Sequence, residues 1–399
     1  MQKPPVKSRN TILAFGIISM LFAGIIYAWS ILKSPLAAIG IDPTALALNF
    51  TLTMCAFCLG GLLGSKLSGK IGVRLSIILG GAVGGLGIGL TGCLGGGSAI
   101  PLYLCYAIMG GGGIGVVYNV IISSVSSHFP DKKGLCSGCL MMGFGLSALL
   151  LGNLAGALFN IPEVGWRATF AIIGASLAVV MLAAAMVIYR NDAPAPKPAS
   201  DIENSGETDY TPKQMLSRPS FYMAFVALIC LTAVGSATIS FAKDLAQEVG
   251  ANGGLATTLV GVLSVCNGLG RIITGKAFDL MGRRKTMLAA SMLTMLAAGV
   301  TLLSVALTSL PLCIIGLCLT GMSYGTSPTV SSAFTSAFYG KKHFATNFSI
   351  MNFNLIGASF AATACSALIK SSGGYILPFA VLLSLSAVSI VLNFFIKKA

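Results

Sequence analysis

The chain has 399 residues, of which 55% are hydrophobic and only 9% are charged, and its mean hydropathy is +0.88. Soluble domains carry about 25% charged residues, so this composition excludes an ordinary soluble enzyme and predicts a polytopic membrane protein. The net charge of +14 does not indicate nucleic-acid binding, because the Lys and Arg residues lie in short loops between apolar segments, where they set membrane orientation.

In chain order, the sequence shows six apolar segments, a polar stretch and six more apolar segments, each long enough to cross a bilayer as a helix. This pattern predicts an all-α membrane protein with twelve transmembrane helices in two pseudo-symmetric six-helix bundles. The N-terminal bundle is expected over residues 1–190, a cytoplasmic linker over 191–217 and the C-terminal bundle over 218–399. The predicted spans 1 to 12 lie near residues 11–35, 45–66, 75–97, 101–125, 135–159, 167–189, 218–243, 256–279, 286–308, 311–336, 346–369 and 374–396.

The linker is polar, and it carries three prolines, Pro194, Pro196 and Pro198, together with several of the eleven acidic residues. This composition predicts a flexible, largely disordered bridge. Most of the 25 basic residues lie at the termini, in the linker and in the loops after spans 2, 4, 6, 8 and 10. Because cytoplasmic loops are rich in Lys and Arg, both termini are expected in the cytoplasm, with the protein in the plasma or inner membrane.

The two halves of the sequence repeat at a constant offset of 210 residues, and two residues that correspond in this way are called repeat mates. Gly72 and Arg74, after span 2, correspond to Gly282 and Arg284, after span 8. Parallel six-helix repeats are an architecture of secondary transporters, so the repeat predicts a carrier. Further pairs of identical residues stand at the same offset: Ser30 and Ser240, Lys33 and Lys243, Lys66 and Lys276, Gly115 and Gly325.

One arginine, Arg271, lies inside an otherwise apolar stretch that begins at Ala256. A guanidinium keeps its proton, so it enters a bilayer only beside water, an anion or a carboxylate. All acidic residues fall in loops or at span ends, so we expect Arg271 to bind a small anionic substrate. The alternative is a structural partner among nearby loop residues. Asn267, one helical turn earlier on the same face, is expected to hydrogen-bond the substrate or the guanidinium.

Two loop segments resemble a motif of a known family. Gly64 to Arg74 and Gly275 to Lys285 are similar to the loop motif that follows spans 2 and 8 in the major facilitator superfamily. The resemblance extends over the whole chain through its length, twelve spans and central linker. In the first copy, Ser68-Gly69 stands where the second copy has its acidic residue. The resemblance implies a gating role for Gly72, Arg74, Asp279, Gly282, Arg283 and Arg284.

A closer resemblance lies in the substrate helices. The segment from Tyr27 to Leu36 is similar to the first helix of the oxalate/formate antiporter and monocarboxylate transporter families, and Gly165-Trp-Arg recurs in the same group. Asn267 to Arg271 resembles their eighth helix, where an arginine binds the substrate carboxylate. Animal monocarboxylate carriers have an aspartate at the position of Asn267. The oxalate exchangers are known for a lysine in helix 11, and the corresponding stretch from Asn347 has none.

The superfamily lines its transport path with spans 1, 4, 10 and 11, so their aromatic and polar side chains are candidates for substrate contact. Lys33 allows two interpretations: it extends to the membrane interface, or a bend at Pro35 turns it inward to join Arg271. Its repeat mate Lys243, beside Asp244, is expected at the interface. The further candidates are Tyr27, Trp29, Tyr118, Asn119, Tyr324, Ser327, Asn352 and Asn354.

The resemblance implies a secondary transporter of small organic anions that works by alternating access. The substrate is either a monocarboxylate such as lactate, pyruvate or formate, or an oxalate-like dicarboxylate. Coupling stays open between proton symport and anion exchange, because no carboxylate is placed for a mid-membrane relay. The alternatives are a non-transporting receptor or scaffold that keeps the carrier fold, and a carrier for a neutral solute. The protein is expected to be a monomer in the lipid bilayer.

Other motifs predict no further chemistry. The CxxC pairs that begin at Cys55 and Cys136 lie in or beside apolar helices, which indicates small hydrophobic side chains rather than a metal or redox site. The glycine-rich runs 80–87 and 110–115 follow no strand, so close helix packing is expected instead of a nucleotide loop. The spans contain no catalytic set, and we therefore expect no enzyme activity, metal or cofactor.

Overall fold

The computed structural model describes residues 9–129, 133–188, 209–340 and 343–396; a few side chains within these ranges, among them those of Asp279 and Arg283, are outside the description. All regular secondary structure in these ranges is helical. Twelve of the described helices are long and apolar enough to cross a membrane, which confirms the twelve predicted spans. In chain order, spans 1 to 12 are Arg9–Ala38, Pro43–Lys70, Val73–Thr91, Ile100–Val125, Cys139–Phe159, Gly165–Val187, Pro219–Glu248, Gly253–Phe278, Arg284–Ala306, Leu310–Tyr339, Thr346–Ser372 and Ile376–Phe395.

The chain divides into two compact units, Met1–Tyr189 and Arg190–Ala399, with six spans in each. In the first unit, span 2 packs along span 4, span 3 along span 6, and span 1 along span 5. In the second unit, spans 8 and 9 pack against spans 10 and 12, and span 7 packs along span 11. The glycine-rich runs of spans 3 and 4 lie at a close helix crossing, since a Cβ on Gly113 would overlap the backbone of Gly80 and Gly84.

Two glycines separate successive spans at equivalent places in the repeat. Gly72 lies between spans 2 and 3 with φ of +85°. Gly282 interrupts the hydrogen-bonded helix Gly253–Ala306 between spans 8 and 9, with φ of +71°. Only glycine adopts positive φ readily. A Cβ built at either residue would meet nothing within 4 Å, so these positions need glycine for its backbone conformation and not for lack of space.

The first span of each unit departs from regular helix in its second half. Span 1 tightens into 3-10 turns over Gly24–Ala28, and it is interrupted again at Lys33 before a short final helix, Ser34–Ala38. Span 7 is continuous except at Phe241, whose φ of −131° is not helical. Phe241 is the repeat mate of Ile31. Both spans are therefore interrupted in their final third.

Three other spans contain local irregularities. Span 4 is π-helical over Tyr103–Gly111, and span 5 is π-helical over Ala148–Gly152. Span 11 is made of two helices, Phe344–Met351 and Asn354–Ser372. The hydropathy pattern predicts the existence of these spans but not their interruptions, because an apolar run has the same hydropathy whether its helix is regular or not.

The linker is the main departure from the sequence prediction. Its residues 191–208 lie outside the described residues, but its last part is packed against the second unit instead of being flexible. The helix Pro212–Leu216 begins with a capping box, and the side chain of Met215 is fully buried in the core of the second unit. The backbone N–H of Tyr210 donates to the carbonyl oxygen of Tyr339 at 3.0 Å. The hydrogen bond and the buried methionine hold this segment, and average composition does not reveal either.

Candidate substrate site

Arg271 lies on the buried face of span 8, with 5% of its surface exposed. Its Nε donates a hydrogen bond to Oδ1 of Asn267 at 3.4 Å, as their spacing of one helical turn predicts. Asn267 is fully buried, and its Nδ2 donates no hydrogen bond to any described residue. The pair therefore presents a cationic guanidinium beside an amide that still has hydrogens to donate.

Span 10 packs against the backbone of this part of span 8. A Cβ on Gly325 would overlap the carbonyl oxygen of Asn267, so the missing side chain lets the two backbones approach. Thr329, one turn later, donates its hydroxyl to the carbonyl oxygen of Arg271 at 3.4 Å. Because both contacts involve backbone atoms, the position of the arginine depends on this helix crossing.

A hydroxyl and amide network joins spans 7, 10 and 11 in the same unit. The hydroxyls of Thr232 and Ser327 are 2.5 Å apart, and Thr232 also donates to Oδ1 of Asn354 at 3.4 Å. Asn354 in turn donates through Nδ2 to the carbonyl oxygen of Met351 at 2.7 Å. Thr232 did not emerge from the sequence, since a threonine in a span is common and nothing in its local pattern identifies its partners.

Two further candidates of the second unit have distinct surroundings. Asn352 is half-buried where span 11 is interrupted, and it accepts a hydrogen bond from Ser331 at 3.4 Å. Tyr324 is buried, and its ring lies against Gly235 of span 7, where a Cβ would be 2.5 Å from the ring. The tyrosine ring thus fills the space that this glycine leaves between spans 7 and 10.

In the first unit, two of the candidate tyrosines meet in an aromatic cluster, which we define as Tyr27, Phe57, Tyr118 and Phe144. The rings of Tyr27 and Tyr118 each lie 5.1 Å from that of Phe144, and Phe57 lies 5.0 Å from Tyr118. The sequence did not point to either phenylalanine. The repeat contains a signal for one of them, because Phe57 is the repeat mate of Asn267.

In the first unit, the side chain of Asn119 lies at the position that corresponds to Arg271 in the second unit. A Cβ on Gly61 would overlap Nδ2 of Asn119. Gly61 is the repeat mate of Arg271, and Asn119 is the repeat mate of Thr329. The amide of Asn119 therefore lies against span 2 at the level where its counterpart carries the guanidinium.

Trp29 and Lys33 complete the candidates of span 1. Trp29 is fully buried; its indole N–H donates to the carbonyl oxygen of Leu46 at 3.1 Å, and its ring lies 4.6 Å from that of Tyr106. This tryptophan packs spans 1, 2 and 4 together. Lys33 is half-buried at the interruption of span 1, and Lys243 is half-buried just after that of span 7. The two interpretations of Lys33 stay open.

The loop motif is described only in part. Arg74 and Arg284 are exposed, and Nη2 of Arg74 lies 2.8 Å from the sulfur of Met186. The side chains of Asp279 and Arg283 lie outside the described residues. The gating role of the motif therefore stays a prediction.

Comparison with known proteins gives the family. The family model described as Major Facilitator Superfamily matches residues 11–243 and 224–399, which together cover almost the entire chain. The chain belongs to the Major Facilitator Superfamily. Two solved superfamily structures share its fold: a D-xylose-proton symporter, with a TM-score of 0.72 and 15% identity over 98% of this chain and 97% of the symporter, and the nucleoside transporter NupG, with a TM-score of 0.73 and 11% identity over 97% and 98%.

Sequence relatives within the superfamily include named carboxylate carriers. The oxalate:formate antiporter of Oxalobacter formigenes is 25% identical over 272 residues, which are 68% of this chain and 63% of the antiporter, less than two thirds of its length. The uncharacterized MFS-type transporter YhjX of Escherichia coli K12 is 25% identical over 86% of this chain and 84% of its own. Human monocarboxylate transporter 1 is 30% identical over 129 residues, 32% of this chain and 25% of that protein. The protein is therefore a membrane transporter of this superfamily.

Proposed function

We propose that this transporter carries small organic anions across the membrane by alternating access, and that Arg271 binds the substrate carboxylate. The observation that carries the proposal is a guanidinium that is 95% buried in an apolar span, with a neutral amide, Asn267, as its neighbour one turn away. A guanidinium stays charged in such surroundings, so it attracts a compact anion. The named carboxylate carriers among the relatives support this class of substrate.

The chemistry of the pair suits a carboxylate. The planar guanidinium holds two carboxylate oxygens through parallel N–H···O hydrogen bonds. Asn267 accepts from Nε through its Oδ1, and its Nδ2 can donate to the substrate. In this arrangement the neutral asparagine fixes the orientation of the guanidinium without neutralising its charge. A carboxylate thus meets the guanidinium of Arg271 together with the amide hydrogens of Asn267.

The remaining candidates are proposed to contact the rest of the substrate. The tyrosines of the aromatic cluster offer apolar ring surface to a short carbon chain, and Asn352 and Asn354 offer amide groups. Lys33 sets the class of anion: with Arg271 alone the site suits a monocarboxylate, whereas a second cation suits a dicarboxylate such as oxalate. Replacing Lys33 with Gln therefore separates the two, because only oxalate uptake should fall if the lysine contacts the substrate.

Uptake into liposomes tests the role of Arg271. Purified wild type, Arg271→Gln, Arg271→Lys and Lys276→Gln are reconstituted, and the uptake of labelled lactate, formate and oxalate is measured. Lys276 is an exposed cation five residues further along the same helix, so it controls for lost charge alone. We expect Arg271→Gln to lower uptake at least about 100-fold, close to 3 kcal/mol, and Arg271→Lys to retain a small part of it, because a point charge replaces the fork.

Unchanged carboxylate uptake by Arg271→Gln would refute the proposed role of Arg271. Uptake of a neutral sugar by all four proteins, with no carboxylate uptake, would identify a carrier of neutral solutes instead. Binding of a carboxylate in a thermal-shift measurement without any flux would favour a receptor or scaffold.

The same liposomes distinguish the two modes of coupling. A pH gradient that accelerates lactate uptake without any internal anion indicates proton symport. Uptake that requires an internal carboxylate and ignores the pH gradient indicates anion exchange. Protease accessibility of terminal tags in cells checks the proposed cytoplasmic location of both termini.

A further inference from the structure

Several buried polar side chains of the first unit have no hydrogen-bond partner among the described residues, Ser147 on span 5 among them. Three others are Ser30 on span 1, Asn49 on span 2 and Tyr106 on span 4, and each is at most 1% exposed. The atoms concerned are Ser30 Oγ, both Oδ1 and Nδ2 of Asn49, and Tyr106 Oη. Burying such groups without hydrogen bonds costs about 1–3 kcal/mol each. Four such atoms in one region call for a common explanation.

The register of spans 2 and 4 places two of these side chains at the same level. The hydroxyl of Tyr103 donates to the carbonyl oxygen of Ala45 at 3.2 Å, and the carbonyl of Thr53 lies against the backbone of span 4 eight residues further along each helix. Asn49 stands midway between Ala45 and Thr53, four residues from each, so it lies on the same face of span 2. Its amide therefore faces span 4 at the level of Tyr106.

Trp29 connects the third side chain to the other two. Its indole N–H donates to the carbonyl oxygen of Leu46, one turn before Asn49, and its ring lies 4.6 Å from the ring of Tyr106. Ser30 is the next residue after Trp29. The three residues thus lie within about one helical turn of the tryptophan along the chain or across a contact, on three different spans. We call Ser30, Asn49 and Tyr106 the polar cluster.

The second unit shows that helix packing does not require these groups. The repeat mates of Asn49 and Tyr106 are Leu259 and Gly316, which carry no polar side chain. The mate of Ser30 is Ser240, whose hydroxyl donates to a carbonyl oxygen of its own helix at 2.7 Å. Span 4 is also π-helical beside the polar cluster, whereas span 10 has α-helix throughout its equivalent part. Local π-helix is frequent at functional sites.

We propose that the polar cluster is a binding site for one small neutral group that both donates and accepts hydrogen bonds, namely the oxygen of a water molecule or of an organic hydroxyl. Asn49 offers two donors and an acceptor, and each hydroxyl offers one donor and accepts as well. None of the three is charged at neutral pH, so a neutral oxygen complements them better than a carboxylate, which would lie against the lone pairs of the Asn49 oxygen. This site is independent of the carboxylate role proposed for Arg271.

Radiolytic hydroxyl-radical labelling of the full chain in lipid nanodiscs tests the site, because radiolysis of a bound water generates hydroxyl radicals beside the ring of Tyr106, and an organic hydroxyl that displaces this water protects the ring. Phe170, fully buried, gives the background. In the wild type we expect labelling of Tyr106 about tenfold above Phe170, because buried waters lie at otherwise unsatisfied polar groups and not beside apolar rings. Asn49→Leu, which installs the residue of the second unit, should lower it at least about fivefold.

Thr53→Val is the matched control. It removes a buried hydroxyl on the same face of span 2 that already donates to the Asn49 carbonyl at 2.7 Å, so labelling of Tyr106 should not change. If Asn49→Leu does not yield monodisperse protein, Ser30→Ala carries the same prediction. Tyr106 labelling at the level of Phe170 in the wild type, or equal loss in Thr53→Val, would overturn the proposal.

A matched pair of solutes identifies the source of the oxygen. Lactate and propionate are both carboxylates, and only lactate has a hydroxyl. Protection of Tyr106 by lactate but not by propionate supports an organic hydroxyl as the ligand. Labelling that neither solute changes supports water. Failure of the carboxylate proposal at Arg271 leaves the labelling of Tyr106 unaffected, so the two proposals can fail separately.

Discussion

The two units of this transporter share a helix crossing and differ in what it carries. In the first unit, Gly115 of span 4 meets the carbonyl oxygen of Phe57 on span 2; in the second, Gly325 of span 10 meets that of Asn267 on span 8. Both contacts join residues that correspond in the repeat. The same backbone contact therefore forms whether the residue that supplies the carbonyl oxygen is phenylalanine, as in the first unit, or asparagine, as in the second.

The difference is largest one turn later along the same helices. Arg271 and its repeat mate Gly61 stand at equivalent places, one with a buried guanidinium and the other with no side chain. In the first unit the amide of Asn119 lies where a Gly61 side chain would begin. One scaffold thus carries an apolar, aromatic face in one unit and a cationic site in the other, and its chemistry depends on a few substitutions at fixed positions.

The largest effects are expected from substitutions at the helix crossing that both units share. Gly115→Val and Gly325→Val each push a branched side chain into a backbone carbonyl, and we expect each to cost on the order of 3 kcal/mol and to abolish monodisperse protein in size-exclusion chromatography. Gly275→Val is the control, because its nearest neighbour would be a methyl group of Thr329 at 3.8 Å. Normal folding of one crossing variant but not of the other would show that the two crossings are not equivalent.

A smaller effect is expected when a carboxylate is introduced beside Arg271. Asn267→Asp places a carboxylate beside Arg271, and the resulting ion pair competes with the substrate. We expect roughly tenfold weaker lactate binding at neutral pH, about 1.4 kcal/mol.

Calorimetry at neutral pH measures this loss. Asn267→Ser is the control, since it removes the amide without adding charge, and its loss of affinity should be smaller. Equal affinity of Asn267→Asp and wild type at neutral pH would contradict a carboxylate site at Arg271.

Substitution of either loop glycine should lower the free energy of unfolding by a similar, moderate amount. Gly72→Ala and Gly282→Ala force an alanine into positive φ with an extended ψ of 164° and 175°, a region almost exclusive to glycine. We expect a strain of about 1–3 kcal/mol, with no added clash because no neighbouring atom lies within 4 Å. Gly69→Ala, in helical backbone near the end of span 2, also meets no atom within 4 Å. It should stabilise the protein by roughly 0.5–1 kcal/mol. Thermal unfolding of the three variants checks the opposite signs; a loss in all three would point to a cause other than backbone strain.

The smallest expected effect concerns the second-unit counterpart of Asn119. Thr329→Val removes one hydrogen bond of 3.4 Å to the carbonyl oxygen of Arg271 while it keeps the shape of the side chain. We expect a loss of about 0.5 kcal/mol in unfolding free energy and little change in uptake. Thr326→Val, whose hydroxyl donates within its own helix, is the control. A large loss of uptake in Thr329→Val alone would give Thr329 a direct role at the site.

Local sequence rules predict those features whose causes are local. The twelve spans follow from hydropathy, the two loop glycines from their motif, and the hydrogen bond of Arg271 to Asn267 from their spacing. The aromatic cluster and the polar cluster depend on contacts between distant spans. In lipid both faces of a helix are apolar, so periodicity does not tell which face of span 2 carries Phe57 or Asn49 toward a partner. The packed end of the linker escaped prediction because one buried methionine outweighs a polar average composition.

The interruptions of spans 1 and 7 have a mechanical consequence. Where a helix loses its regular hydrogen bonds, the segments on either side can bend relative to each other, and such points absorb changes of φ and ψ as hinges. Span 1 has this property around Gly24–Ala28 and Lys33, and span 7 has it at Phe241. The end segments that carry Lys33 and Lys243 contain buried residues such as Leu36 and Leu245, so a bend at either hinge also moves the neighbours packed against them.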